Sequence, residues 1–363
     1  MLADARKQLE TFWPQIAVVP GLSVRTLFDA ILSELPINSG DNIIMSAINI
    51  ENMADIARAH GLNIVPVDID PDTLLPPPGA LLRAHQATGA KVCVVSHLFG
   101  FVSPIPDARE LGENGVLVIE DCAQAFAGDF HKGDANAGVS LFSFGPIKRR
   151  TALSGALAVI QHAPLASAIS QRLNSYPALS ESWYRKRGLK YLTLKLLTVP
   201  FFYQLLIWLL LIAGKNPDEA IGAAARGFSG PDLLSNIRHR PPARLLPVMT
   251  EQILETNDHQ TRSTICTTFL DKAANADAHI GRHAEKAAFW LLPLLSAYPD
   301  AIVKALRKKG FDATQGATSL RVVGPGAPKA ENLLRQVVYL PHPTQLSTHA
   351  QHKLATVFRN FKP

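Results

Sequence analysis

Val116-Leu117-Val118-Ile119-Glu120-Asp121-Cys122-Ala123-Gln124-Ala125 is a run of apolar residues that ends in two acids. A short, unbroken apolar run of this kind predicts a strand buried on both faces, as in parallel sheets covered by helices. Asn42 to Ser46, Ile64 to Val67 and Val92 to Ser96 repeat the pattern. Helical spacing, as in Leu27-Phe28 and Ala30-Ile31-Leu32, appears around them. The expectation is an α/β fold, in which ligands bind beyond the carboxyl ends of the strands. Asp121, Gln124 and the turn at His97 all fall at such ends. Further on, Val139-Ser140-Leu141-Phe142-Ser143-Phe144 leads to Lys148, 27 residues after Asp121. An acid and a lysine so placed suit pyridoxal phosphate (PLP). The lysine holds the cofactor as a Schiff base, and the carboxylate keeps the pyridinium nitrogen protonated so that the ring accepts electrons. Such a lysine needs surroundings that lower its pKa, and once released its amine can move protons at the substrate carbon.

The wording around both residues resembles the DegT/StrS family of sugar aminotransferases, which are fold-type I PLP enzymes. Glu120 to Gly128 and Ser143 to Ala156 carry the resemblance, with Gly40 to Ser46, Asp68-Ile69-Asp70, Val95 to Gly100 and Leu234 to Arg238 following the family order. It implies a large PLP-binding domain with a mostly parallel sheet over 1–175, and helices with a small C-terminal α+β domain over 231–363. Between them, 176–230 forms an apolar and basic helical insertion. It also implies that Lys148 and Asp121 are catalytic, that Gln124 lies against the cofactor ring, and that Ser143 bonds the phosphate. Asn236 would reach the phosphate from a neighbouring subunit, so a homodimer is expected, and Arg238 would hold an anionic substrate. The related sugar dehydratases carry histidine where Lys148 stands, which favours the aminotransferase branch.

The phosphate loop of the family corresponds to Ser23-Val24-Arg25-Thr26-Leu27-Phe28, without its usual glycine and threonine. There Arg25 or Thr26 would join the backbone N–H groups of a helix N-terminus. Asn49 stands where an aromatic often covers the cofactor, Phe126 replaces a frequent histidine, and Leu153-Ser154-Gly155-Ala156 replaces a glycine-rich word. On the same resemblance, the chain is expected to start after the family's usual N-terminal segment. The expected activity moves an amino group, usually from glutamate, to a keto sugar, usually nucleotide-linked, for surface polysaccharide or glycolipid synthesis. The departures motivate a second reading: a catalytically impaired PLP-fold protein with a binding or regulatory role, docked at a membrane.

Composition narrows the alternatives. With 363 residues, 47% hydrophobic and 18% charged, the chain has the make-up of a globular protein with a large core. A net charge of +6 is modest, and no nucleic-acid-binding motif accompanies it. Cys93, Cys122 and Cys266 form no CxxC, so no zinc site or disulfide framework is expected. His279 with His283, and His349 with His352, have helical spacing but lack the partners of a metal site. Met1 to Lys7 offers no apolar signal-peptide core, which suggests the cytoplasm. From Leu189 to Ala213 the chain is greasy, broken by Pro200, with Trp183, Tyr184, Arg185, Lys186, Arg187 and Lys190 ahead of it. Residues 183–213 are therefore expected to lie on the inner face of the cytoplasmic membrane without crossing it, or else to pack on a partner subunit.

Overall fold

The computed structural model describes residues 2–197, 204, 206, 208–210, 212–214, 232–255, 259–315 and 319–361. The break expected at Pro200 lies outside them. In chain order the elements begin α1 (Leu2–Phe12), β1 (Ala17–Gly21), α2 (Val24–Glu34), β2 (Asn42–Ser46), β3 (Ile48–Ile50) and α3 (Glu51–Ala59). There follow β4 (Asn63–Val67), α4 (Ala80–Thr88), β5 (Val92–Ser96), β6 (Phe101–Val102), α5 (Ala108–Glu113), β7 (Leu117–Asp121), β8 (Val139–Ser143) and β9 (Ala156–Ile160). Next are α6 (Ala163–Ser175), α7 (Glu181–Leu197), α8 (Leu233–Ile237), α9 (Leu245–Leu254) and α10 (His259–Ala273). The last are β10 (Lys286–Ala287), β11 (Leu292–Leu295), α11 (Pro299–Lys308), β12 (Thr314–Gln315), β13 (Leu320–Val322), α12 (Pro328–Gln336), β14 (Val337–Leu340) and α13 (Thr348–Arg359).

The main sheet has seven strands in the order β1-β9-β8-β7-β5-β2-β4. The pairs β7–β8, β5–β7, β2–β5 and β2–β4 are parallel, while β1 runs antiparallel to β9. The register sets Ser96 beside Asp121, and Asp121 beside Leu141, so the carboxyl ends of β5, β7 and β8 lie level. The chain forms two compact units, 1–35 with 143–255 and 36–142 with 256–363.

In the second unit, alternate residues of the central strands share one core. Ile44, Cys93, Val95 and Val118 pack with Leu81 of α4 and Leu111 of α5. A separate cluster joins Phe99, Phe101 and Ile48 to Phe269 of α10, Leu354 of α13 and Val338 of β14. In the first unit, α2 and α6 pack on the β1–β9 pair and α1 packs on α9. All three cysteines are buried free thiols. His279 and His283 lie outside any helix, and His279 Nε2 is held by the Leu270 carbonyl at 3.1 Å. The helical spacing of that pair is therefore coincidental, whereas His349 and His352 do share α13.

Candidate active site

In the second unit, Asp121 closes β7 and is buried. Its Oδ1 accepts the Ala123 N–H at 2.9 Å, and its carbonyl accepts the His97 N–H at 3.0 Å. The carboxylate is thus held by the turn that follows its own strand. Gln124, half-buried three residues on, spends its Oε1 on the Phe99 N–H at 2.7 Å. That leaves its NH2 as the end it can offer a ligand. The bond steadies a tight turn in which Phe99 has φ +59 and Gly100 φ +94. A Cβ at Gly100 would lie 2.5 Å from the Trp290 nitrogen, so glycine is required there. Asn49, also buried, donates to Ser96 Oγ at 2.9 Å, and Phe126 packs edge-on against Phe142 in the core.

Behind Asp121 lies a group that the sequence reading did not find. Glu120 is fully buried. Its Oε1 accepts from His97 Nε2 at 2.7 Å and His131 Nε2 at 2.6 Å. Its Oε2 accepts from Ser140 Oγ at 2.5 Å and the Asp134 N–H at 2.9 Å. Burial pushes the carboxyl pKa up, but the hydrogen bonds and charge of His131 and His97 outweigh it and hold Glu120 well below its ordinary value. Burial, reinforced by Glu120 and Asp121, raises the neighbouring Cys122 thiol. His97, Glu120, Cys122 and His131 place ligand-type atoms within 4.8 Å of one another. The contacts to Glu120 have hydrogen-bond lengths, and they account for this buried charge without an ion. Nδ1 of buried His97 has no hydrogen-bond partner. A signal was present in the sequence: an acid inside a buried strand demands donors.

In the first unit, Ser143 ends β8, and half-buried Lys148 sits in the turn beyond it, its N–H bonded to the Gly145 carbonyl at 3.0 Å. The loop closes through Phe144 N–H to Gly155 O at 2.9 Å and Ala152 N–H to Phe144 O at 3.0 Å. Helix α7 clamps it. Tyr184 Oη donates to the Ala152 carbonyl at 2.8 Å, and Arg187 Nε donates to the Leu153 carbonyl at 2.5 Å. Burial lowers the Arg187 pKa and raises that of Tyr184. Arg150, adjacent in sequence, is buried against Glu255.

Ser23 caps α2 by accepting the Thr26 N–H at 3.2 Å. Thr26 is fully buried and donates its hydroxyl to the Ile237 carbonyl at 2.8 Å, so this hydroxyl is committed within the protein. Half-buried Arg25 shares the same first turn. Asn236 is exposed on α8. Arg238 forms a fork on Asp29, with Nε to Oδ2 at 2.9 Å and Nη2 to Oδ1 at 2.8 Å. Asp29 is fully buried and also accepts from Tyr176 Oη at 3.1 Å. Burial, with Asp29 beside it, pushes the Tyr176 pKa up to about 12.

Each unit therefore carries part of the expected donor set: the amine and hydroxyl in one, the carboxylate and amide in the other. These groups match the chemistry that PLP requires of its protein. The architecture is that of the fold-type I PLP-dependent transferases. Residues 26–189 match the model of the DegT/DnrJ/EryC1/StrS aminotransferase family. A curated relative, L-glutamine:2-deoxy-scyllo-inosose aminotransferase of Streptomyces kanamyceticus, is 33% identical over 153 residues. That match takes in 41% of this chain and spans only 35% of the relative's length. Among solved structures, the sugar aminotransferase CalS13 from Micromonospora echinospora aligns with a TM-score of 0.65 at 18% identity, covering 99% of this chain and 92% of its own. The E. coli GDP-4-keto-6-deoxy-D-mannose-3-dehydratase aligns with a TM-score of 0.67 at 15% identity, covering 99% and 91%.

Proposed function

We propose that the chain is a PLP-dependent aminotransferase that passes an amino group to a keto sugar. The observation that carries this reading is the level placement of strand ends, with Asp121 closing β7 and the chain running from the end of the adjacent β8 into Lys148. When bound, PLP supplies an electron sink for the carbon that gains or loses the amine. Lys148 would anchor the cofactor and carry the proton at that carbon. Asp121, already oriented by the Ala123 N–H, would hold the proton on the ring nitrogen. Gln124, its Oε1 already held by the Phe99 N–H, would lie against the cofactor ring. Ser143, Arg25 and the first N–H groups of α2 would hold the phosphate, with Asn236 reaching it from the second copy of a homodimer.

The substrate is proposed as a nucleotide-linked keto sugar, used in the cytoplasm for surface polysaccharide or glycolipid synthesis, with glutamate as donor. The name of the curated relative gives L-glutamine as its donor, so the two amino acids are the pair to compare. A second reading, a PLP-fold protein without turnover, is favoured by the inward commitment of the Thr26 hydroxyl at the phosphate end. The test is borohydride reduction of PLP-saturated protein followed by peptide mapping, with visible spectra taken before and after adding each amino acid. The expected label is on Lys148, and one donor should bleach the absorbance. A label on another lysine, or none, would remove the enzyme reading; labelling without bleaching by either amino acid would favour the second.

A further inference from the structure

Helix α7 has two faces of different character. Trp183, Tyr184, Arg187, Gly188, Tyr191 and Leu194 are half-buried, and through Tyr184 and Arg187 this side holds the lysine loop. On the opposite side Leu189, Leu192 and Leu196 are 66%, 54% and 59% exposed. Spacings of three and four residues put them in one stripe. Of ten exposed large apolar side chains among the described residues, six fall here or just beyond, the others being Trp208, Leu209 and Ile212. A stripe of exposed leucines such as that on α7 calls for a partner.

The charges around the stripe select which partner. Arg185, Lys186, Lys190 and Lys195 are exposed too, Arg185 beside the stripe and the other three flanking it. From Ser182 to Leu196 the sequence contains no acid. A second copy meeting this face with the two-fold axis running through α7 would bring these cations against their own copies and leave them uncompensated. A leaflet of anionic lipid supplies what is lacking, acyl chains for the leucines and phosphates for the cations. Thr193 is also exposed, and its hydroxyl already bonds the Leu189 carbonyl at 3.0 Å, so burying it in an interface strands no donor. The helix is about 26 Å long at about 1.5 Å per residue, and no described helix is long and apolar enough to cross a membrane.

We propose that the outer face of α7 docks the protein on an anionic lipid surface, with Leu189, Leu192 and Leu196 entering the interface and Arg185, Lys186 and Lys190 pairing with headgroups. This inference stands whether or not the chain is an aminotransferase.

The test is flotation of the full chain with phosphatidylcholine vesicles, with and without phosphatidylglycerol. Binding should require the anionic lipid and collapse in about 1 M salt, where screening acts within about 3 Å. Each cation near the surface strengthens binding about fivefold, so Arg185→Glu, Lys186→Glu and Lys190→Glu together should weaken it more than about 100-fold. Leu189→Ser, Leu192→Ser and Leu196→Ser together should abolish it with the denaturation midpoint unchanged. Equal binding to both vesicle types, or to neither, would overturn the proposal. So would a face covered by a second copy, seen as wild-type dimers that ignore vesicles and dissociate on the triple serine change. The wild-type comparison decides the matter even where a variant fails to fold.

Discussion

At the scale of single residues, Glu120 is the best-provided charge described in the chain. Its four donors lie on three segments: the turn after β5, the loop carrying His131 and Asp134, and β8. In Glu120→Gln an NH2 must face N–H or O–H donors on one side or the other. The expected cost is about 2–4 kcal/mol, measured by denaturant unfolding. The pKa of Glu120 is depressed in the folded state, so its stabilisation is present above the unfolded value of about 4.3 and is lost as pH falls through the folded value. Wild-type stability should therefore decline below about pH 4, and Glu120→Gln should flatten that decline. In the sequence Asp121 stood out because it closes an apolar run and is followed 27 residues later by Lys148. Glu120 was not legible, because its partners sit 23 residues before it and up to 20 after it and meet it only through parallel register. For the same reason, the hold of Arg238 on Asp29, 209 residues apart, was hidden behind an expectation of substrate binding.

At the scale of elements, the buried parallel strands were the easiest to read, since burial on both faces writes itself as an unbroken apolar run; Asn42–Ser46 and Val92–Ser96 match residue for residue. The sequence reading passed over α1 and β1. β1 is an edge strand that carries Pro20, and its pairing with β9 depends on residues about 140 positions away. Helix α7 supports the lysine loop through two backbone carbonyls, those of Ala152 and Leu153. Arg187→Ala is expected to cost about 1–3 kcal/mol and to weaken PLP binding, measured by unfolding and by cofactor titration. Arg187→Lys should recover less than half of either effect, because a lysine ammonium does not reproduce the planar donor. Gly155 closes the same loop at φ +95, and a Cβ there would lie 2.1 Å from Met249 Sδ.

At the scale of the whole molecule, the proposed homodimer makes a quantitative prediction. Lys148→Ala and Asn236→Ala would each disable a site made from two chains. Half the dimers in an equal, randomised mixture contain one chain of each kind, and each of those holds one intact site. Activity should recover to about a quarter of wild type from two inactive parents. No recovery in verified mixed dimers would place Asn236 outside the partner's site. A different consequence follows from the way each unit is assembled from two stretches of chain. Residues 36–142 belong with 256–363, and 113 residues lie between them. During synthesis at about 5–20 residues per second, the first stretch waits roughly 6–23 s for its complement. Phe101 is without Phe289, and Phe99 without Tyr339, for that whole interval. The nascent chain thus presents bare apolar strands long before they can be covered, and its yield in the cell should depend on chaperones that hold such surfaces apart.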